Sequence, residues 1–209
     1  MLRILGLVTM KIYDISQEVF TCAVWPTDPA PERRVLCKIS EGAACNVTAF
    51  SMCAHNGTHV DAPYHFIDEG KKIDQVELDR FIGPAYVARH EGDVTAEDIL
   101  KILEKAQAAS IEGEDVWKRI LVQGKAVMTE EAARVLVEKG VYLYGNESQT
   151  VGPENAPAAV HRILLGAGVV LLEGIRLQQV PEGVYLLSAA PINLGGADGA
   201  PCRAVLISH

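Results

Sequence analysis

Apolar residues recur at the three- and four-residue spacing of amphipathic helices in three stretches of the chain. After Thr95, which suits an N-cap, this spacing continues to about residue 109. A second stretch begins at Thr129 and ends at Gly140, and a third begins at Pro157 and ends at Gly166. The pattern therefore predicts three helices in the part of the chain that follows residue 94.

Shorter runs of apolar and β-branched residues predict strands. They cover residues 11–24, two strands within 34–54 that a polar break at 40–43 separates, and then 84–89, 120–122, 141–144, 169–172, 185–189 and 204–208. Residues 25–33 hold three prolines and predict an irregular loop. Because helices fall between strands and strands outnumber helices, the sequence predicts an α/β fold with a mixed sheet and flanking helices.

The composition is that of an ordinary globular domain. Of the 209 residues, 49% are hydrophobic and 22% are charged, and no repeat or linker interrupts the chain, so we predict one domain over residues 1–209. The apolar N-terminal stretch is too short to span a membrane and lacks a small-residue cleavage site. We interpret Met10 as a candidate natural start, which would make residues 1–9 an upstream extension.

Charge and cysteine content argue against several classes of function. A formal net charge of −8 without a cluster of Lys or Arg gains nothing from counterion release, so nucleic acid is not an expected partner. No membrane partner is expected either. The five cysteines are an odd number and form no CxxC pair, which favours reduced thiols in a cytoplasmic protein over a disulfide framework.

One segment, residues 55–65, concentrates side chains that bind metals. It reads HNGTHVDAPYH, and its three histidines and one aspartate are His55, His59, Asp61 and His65. Histidine and aspartate are natural ligands for zinc and similar divalent ions. We call this segment the 55–65 motif and predict that it forms a metal site.

The four candidate ligands stand at odd-numbered positions, which favours a strand with one functional face over a helix. His55 and His59 have the spacing of adjacent helical turns, but Gly57 between them and Pro63 after them disfavour a helix. In a flat strand the two histidines would lie roughly 13 Å apart, too far for one ion with bonds of about 2 Å. We therefore expect the chain to bend at Gly57, while Pro63 directs it towards His65.

The 55–65 motif resembles the H-x-G-T-H-x-D-x-P-x-H motif of the cyclase family, whose members include bacterial kynurenine formamidases and isatin hydrolases. All seven defined positions match. Four further segments resemble family patterns in the same order along the chain, namely WPTDP at 25–29, HRILL at 161–165, LLEGI at 171–175 and GADGAPCRAV at 196–205. The resemblance thus spans nearly the whole chain and implies a metal-dependent hydrolase.

What this resemblance implies is a swivelling β/β/α fold, usually as a homodimer or higher homo-oligomer, with a two-metal site. His55, His59 and Asp61 would hold one zinc ion. Asp61 would bridge to a second zinc ion held by His161 and Glu173. Mixed His/carboxylate sites also accept manganese or other divalent ions, so the native metal stays open.

The resemblance also implies that His65 stays free of metal and acts as the general acid and base. Metal-activated hydroxide would attack the acyl carbon of a small amide, and His65 would carry the proton to the leaving nitrogen. Trp25 is a candidate cover for an aromatic substrate, with closure of the core as its alternative. Thr58 is a candidate for orienting a ligand or donating to an oxyanion, with a turn role as its alternative.

N-formylkynurenine, which an arylformamidase splits into kynurenine and formate, is the leading substrate, but two regions depart from the family pattern. Where family members have roughly G-x-D-x-x-S-V-D, Glu147, Thr150 and Gly152 replace the first Asp, the Ser and the last Asp. The segment between the strand at 120–122 and Thr129 is also short. A cyclic amide, a lactone or another small ester stays open as the substrate, and a metal-dependent binding protein without catalysis stays open as a different class of function.

Overall fold

The computed structural model describes residues 10–110 and 113–208, so the candidate upstream extension lies outside the described residues. Within them the chain forms three α-helices, α1 (Ala96–Ala108), α2 (Glu130–Lys139) and α3 (Ala158–Gly166). The strands of the same residues are, in chain order, β1 (Lys11–Asp14), β2 (Glu32–Cys37), β3 (Val47–Ser51), β4 (His59–Asp61), β5 (Ile82–Arg89), β6 (Gly92–Val94), β7 (Arg119–Gln123), β8 (Ala126–Met128), β9 (Leu143–Asn146), β10 (Val170–Glu173), β11 (Gly183–Ser188), β12 (Gly199–Pro201) and β13 (Val205–Ser208).

A mixed sheet organises the molecule. In the described part of the chain its strand order is β1-β13-β11-β5-β7-β9-β10-β4-β12. The central strands β5, β7, β9 and β10 run parallel to one another, and the pairs on either side of them are antiparallel. The antiparallel hairpin β2–β3 and the parallel pair β6–β8 form separate ladders. The predicted α/β fold with a mixed sheet and flanking helices is therefore confirmed.

The helix boundaries follow the local signals in the sequence. The Thr95 hydroxyl accepts a hydrogen bond from the Asp98 N–H, and the Thr129 hydroxyl accepts one from the Ala132 N–H. Gly140 ends α2 in the left-handed region with φ +72°. The predicted positions of all three helices are confirmed. Within the described residues, no helix combines the length and the apolar character that crossing a membrane would take.

The helices cover one face of the sheet, and the other face closes on itself. On the helical face, Tyr144 of β9 shares a buried cluster with Leu136 of α2 and Leu164 of α3. On the opposite face, Val60 of β4 and Leu206 of β13 belong to one buried cluster although their strands lie towards opposite ends of the sheet. The sheet must curl for these two residues to share a core, which agrees with the swivelling β/β/α fold.

The predicted strand over residues 11–24 is wrong beyond Asp14. The Asp14 carboxylate accepts a hydrogen bond from the Ser16 N–H, and the Glu18 carboxylate accepts one from the Thr21 N–H at a short 3-10 helix. Such bonds from side chains to nearby backbone offer the chain an alternative to the strand ladder. The segment after Asp14 therefore leaves the sheet and passes close to the 55–65 motif, where Gln17 bonds to Thr58.

Candidate metal centre

The 55–65 motif folds as a turn, the short strand β4 and a 3-10 helix that ends at His65. Gly57 in the turn has φ +63°, and a Cβ there would lie 2.8 Å from Cys22 Cβ, so both conformation and space call for glycine. The chain then enters β4, where the alternation of side chains puts His59 and Asp61 on one face. The bend expected at Gly57 is present, and the strand is confined to three residues.

Two further candidate ligands reach the same place from α3 and β10. His161 lies in α3 and Glu173 ends β10, and their side chains are almost fully buried. Strand β10 pairs with β4, which sets Glu173 opposite His59. His161 Nε2 lies 3.2 Å from Glu173 Oε1 and 3.7 Å from Asp61 Oδ2. The fold thus brings together the five residues that the resemblance implies as ligands.

The donor atoms form two groups that share Asp61. His55, His59 and Asp61 offer atoms that all lie within 4.8 Å of one another, and so do Asp61, His161 and Glu173. Asp61 Oδ1 lies 2.9 Å from His55 Nδ1 and 3.4 Å from His59 Nε2, whereas Oδ2 faces His161. One carboxylate oxygen therefore serves each group, which is the arrangement of a bridging carboxylate.

The donor set fits divalent ions. Asp61 Oδ2 is buried and has no hydrogen-bond partner among the described residues, and a buried carboxylate oxygen in that condition costs free energy unless a cation offsets it. Two ligand atoms on one tetrahedral zinc ion with bonds of about 2.0–2.1 Å lie roughly 3.3 Å apart. Within the two groups, His59 Nε2 lies 3.4 Å from Asp61 Oδ1, and His161 Nε2 lies 3.2 Å from Glu173 Oε1 and 3.7 Å from Asp61 Oδ2, which is close to that spacing.

Each candidate histidine ligand has an acceptor for its second ring nitrogen. These contacts are His59 Nδ1 to the Gly57 carbonyl oxygen at 3.1 Å, His161 Nδ1 to the Pro157 carbonyl oxygen at 2.9 Å, and His55 Nε2 to Asp198 Oδ2 at 2.9 Å. Metal-binding histidines usually donate this N–H to a carbonyl or a carboxylate, which fixes the tautomer and the ring orientation. The remaining nitrogen of each ring faces the buried carboxylates and is the one suited to a metal.

The carboxylates of the cluster hold protons on the neighbouring histidines. Burial alone would lower the pKa of His55, but hydrogen bonds to Asp198 and Asp61 outweigh it and raise that pKa to about 11. Burial also opposes protonation of His59, yet the Asp61 and Glu173 carboxylates raise its pKa to about 9. Burial would raise the pKa of Asp61, but His55 and His59 hold it well below its usual range. The cluster therefore demands positive charge, which protons or metal ions can supply.

His65 lies beside the two donor groups that share Asp61 and is not a member of either. Its ring stacks on His55 with the centroids 4.0 Å apart, and its Nδ1 lies 3.1 Å from Asp198 Oδ2. His55, His65 and Asp198 also have the spacing of metal ligands, but their contacts of 2.9 and 3.1 Å are ordinary hydrogen bonds. Sequence reasoning missed Asp198 as a site residue, although its GADGAPCRAV segment was a signal for the region.

The donors open onto a cavity of about 280 Å³. Besides the histidines and Glu173, its wall contains Trp25, Thr27, Asp28, Phe66, Gln149, Thr150 and Pro157. Ligand cavities commonly measure about 300–1,000 Å³, so this one suits a small molecule. Trp25 thus lies where a substrate cover was expected. Gln149 and Thr150 come from the stretch that departs from the family pattern. Nothing else in the sequence indicated that they would line the cavity.

Thr58 lines a different cavity, on another side of the 55–65 motif. Its hydroxyl donates to the Gly174 carbonyl oxygen at 2.8 Å and accepts from the Gln17 N–H at 2.9 Å. These bonds tie the motif to the loop after β10 and to the segment after β1. The geometry therefore favours the turn role of Thr58 over a contact with substrate at the metal donors.

The chain is similar to a protein family, to a named enzyme and to solved structures. The cyclase family model matches residues 13–153. The kynurenine formamidase of Salinibacter ruber is 32% identical over 211 residues, which cover 94% of this chain and 97% of that protein. The solved structure of a predicted metal-dependent hydrolase from Bacillus stearothermophilus superposes with a TM-score of 0.76 at 28% identity, over 96% of this chain and 99% of that one. Isatin hydrolase A from Labrenzia aggregata superposes with a TM-score of 0.79 at 22% identity, over 95% of this chain and 93% of that one, and so shares the fold.

Proposed function

Because this chain belongs to the cyclase family, we propose that it is a metal-dependent hydrolase of small amides with arylformamidase activity. The observation that carries the proposal is the buried Asp61 carboxylate, which is shared between two groups of metal-binding side chains beside a cavity. Similarity over nearly the full length of a kynurenine formamidase supports cleavage of a carbon–nitrogen amide bond. N-formylkynurenine is the leading substrate, and kynurenine and formate are the products.

Two divalent ions suit the donor set. His55, His59 and Asp61 would hold one, and Asp61, His161 and Glu173 would hold the other. Zinc is the first choice because histidine and carboxylate are among its usual ligands, and manganese is the alternative. Divalent ions bound in this way lower the pKa of water and polarise the oxygen of an acyl group.

His65 is the side chain that moves the proton in the proposed reaction. It lines the cavity beside the donors, and its Nδ1 is engaged with Asp198, so Nε2 is the ring atom that faces proton transfer. Nε2 takes a proton as the oxygen of water bonds to the acyl carbon. It returns the proton to the amide nitrogen as the carbon–nitrogen bond breaks, which yields a carboxylic acid and an amine.

The wall of the cavity fits an aryl amide. Trp25 and Phe66 supply aromatic faces, against which a substrate ring can pack. Asp28 is a carboxylate in the same wall and suits an ammonium group on the substrate. Because Gln149 and Thr150 stand where the family pattern differs, cyclic amides, lactones and small esters are the alternative substrates.

The test compares His65→Ala with His90→Ala across N-formylkynurenine, formanilide, isatin and a simple lactone. His90 is a matched control because its Nε2 bonds to the Asp93 carbonyl oxygen, away from the cavity of the donors. His65→Ala should keep the metal content of the wild type and lose about 10²–10⁴-fold in turnover, the usual share of general acid–base catalysis. His90→Ala should match the wild type in both measurements.

Two results would contradict the proposal. Unchanged turnover in His65→Ala would remove the assigned role of this side chain. A metal-loaded wild type that hydrolyses none of the four compounds would favour the binding-protein alternative.

We also propose that the chain forms a homodimer or higher homo-oligomer through the β2–β3 hairpin. Large apolar side chains that are 39–58% exposed concentrate there, namely Val35, Leu36, Ile39, Val47 and Phe50. A concentration of this kind is typical of a protein–protein contact. Light scattering should give at least twice the 22.6 kDa chain mass, and Phe50→Asp should lower the mass. A wild-type monomer at micromolar concentration would contradict this assignment.

A further inference from the structure

Asp198 contacts both His55 and His65 and directly precedes β12, which pairs with β4. Its carbonyl oxygen accepts a hydrogen bond of 2.9 Å from the Ala62 N–H, directly after β4. The next residue, Gly199, pairs with Asp61 in the ladder between β12 and β4. A Cβ at Gly199 would lie 2.7 Å from His55 Cε1, so glycine lets the histidine ring approach this backbone. The backbone of Asp198 is therefore anchored independently of its side chain.

A single oxygen of this carboxylate contacts both rings. Asp198 Oδ2 lies 2.9 Å from His55 Nε2 and 3.1 Å from His65 Nδ1. The two rings stack with an interplanar angle of 28°, which lets both reach the same atom. An aspartate carboxylate is ordinarily ionised at neutral pH, so this oxygen can accept a hydrogen bond from each ring.

The charge state of the carboxylate decides which ring nitrogen carries hydrogen. An ionised carboxylate only accepts hydrogen bonds, so His55 Nε2 and His65 Nδ1 must both donate to it. In a neutral imidazole the other nitrogen then carries the lone pair. That nitrogen is Nε2 in His65. In His55 it is Nδ1, which lies 2.9 Å from Asp61 Oδ1, so a proton or a metal ion must lie between these two atoms.

We propose that Asp198 is a positioning residue that sets the tautomers of a metal ligand and of the proton carrier at the same time. It leaves the lone pair of His55 Nδ1 available to bind a metal ion. It also leaves the lone pair of His65 Nε2 available to accept a proton during the reaction. The part that concerns His65 rests on the proposed function. The part that concerns His55 requires only that the cluster binds a metal.

The experiment replaces the carboxylate and leaves the backbone anchor in place. Asp198→Ala removes the acceptor, and the isosteric Asp198→Asn removes the charge while keeping the shape of the side chain. Asp74→Asn is the matched control, because the Asp74 carboxylate accepts from the Gly196 N–H in the same loop without contacting either histidine among the described residues. A thermal melt checks that each variant is folded.

Three readouts are taken on each protein: zinc affinity by competition with a chelator, histidine tautomers by ¹⁵N NMR of the zinc-loaded protein, and kcat at saturating zinc. Asp198→Ala should weaken zinc binding about 10–100-fold, the usual effect of losing a carboxylate behind a histidine ligand. Asp198→Asn should weaken it in the same direction. The Nδ1–H signal of His65 should be lost in Asp198→Ala and reduced in Asp198→Asn, and kcat should fall by about tenfold or more in both variants. Asp74→Asn should behave as the wild type.

The proposal is overturned if both Asp198 variants keep the wild-type zinc affinity and the Nδ1–H signal of His65. It is also overturned if Asp74→Asn reproduces their changes, since loop position would then explain the effect. Should the wild type hydrolyse none of the tested amides, the proposed function would fail. Zinc affinity and the NMR signals would still decide the role of Asp198.

Discussion

Replacing Gly57 by alanine tests whether the bend in the 55–65 motif organises the metal donors. Gly57 has φ +63°, a region in which a side chain costs about 1–2 kcal/mol. The new Cβ would also lie 2.8 Å from Cys22 Cβ and 3.1 Å from Cys22 Sγ. Rotation of the Cys22 side chain cannot relieve this contact, because its Cβ is fixed to the backbone. The turn at Gly57 must therefore move. His55 and His59 flank that turn, and their separation should change with it.

Gly140→Ala is the control that measures the free-energy cost of a side chain at positive φ without any displacement of the backbone by a steric clash. Gly140 has a similar φ of +72°, but a Cβ there would meet nothing within 4 Å among the described residues. Gly140→Ala should therefore lose about 1–2 kcal/mol of unfolding free energy, which lowers the Tm of a chain of this size by roughly 2–8 °C. Gly57→Ala should lose more than this and should also bind zinc less tightly, whereas Gly140→Ala should bind zinc as the wild type does.

Calorimetric melting of the metal-free proteins and zinc competition with a chelator provide the two measurements. The opposite outcome is a Gly57→Ala variant that binds zinc with wild-type affinity and loses no more stability than Gly140→Ala. That outcome would mean that the donors hold their positions without the bend.

Three shorter predictions concern the buried groups. Glu173→Gln should remove one of the two proposed ions by metal analysis and leave the group that contains His55 and His59, and an unchanged metal content would contradict the assignment. Zinc uptake at neutral pH should release protons into a weakly buffered solution, because the pKa values of His55 and His59 are raised to about 11 and about 9 and a ligating histidine must be neutral. Zinc affinity should accordingly strengthen as the pH rises towards 9, and an affinity independent of pH would argue against this competition. Tyr144→Phe should keep or raise the Tm, because the Tyr144 hydroxyl is buried without a hydrogen-bond partner in the described part of the chain and such burial costs about 1–3 kcal/mol; a lower Tm would show that the hydroxyl is satisfied.

The helices were predictable because their signals are local. Thr95 and Thr129 supply the caps of α1 and α2, and Gly140 supplies the left-handed residue that ends α2. Each of these groups bonds to backbone within a few residues, so the sequence contains both partners side by side. The apolar run that became β10 was also visible, since both of its faces are buried.

The strand prediction failed where side chains compete for the backbone. Residues 15–24 have apolar positions that suit a strand, but the Asp14 and Glu18 carboxylates bond to nearby N–H groups and turn the chain. The odd-number parity of the 55–65 motif was right for His59 and Asp61, which share a face of β4. His55 lies in a turn and His65 lies in a 3-10 helix. The alternation of side chains along a strand does not apply to either position.

The role of Asp198 could not be derived from spacing along the chain. It meets His65 and His55 across 133 and 143 residues, because β12 pairs with β4 at the edge of the sheet. Such a contact depends on strand order, which the pattern of apolar residues does not specify. For the same reason, the meeting of His161 and Glu173 with Asp61 followed from family resemblance and not from periodicity.

If the buried cluster around Asp61 binds divalent metal and uses it to hydrolyse a small amide, activity must follow metal content. Formate release from N-formylkynurenine and formanilide, measured on chelator-treated protein before and after zinc is restored, tests this most directly. Turnover should disappear when the metal is removed and return with added zinc. Turnover that survives complete metal removal, or a fully loaded protein that releases no formate from either compound, would contradict it.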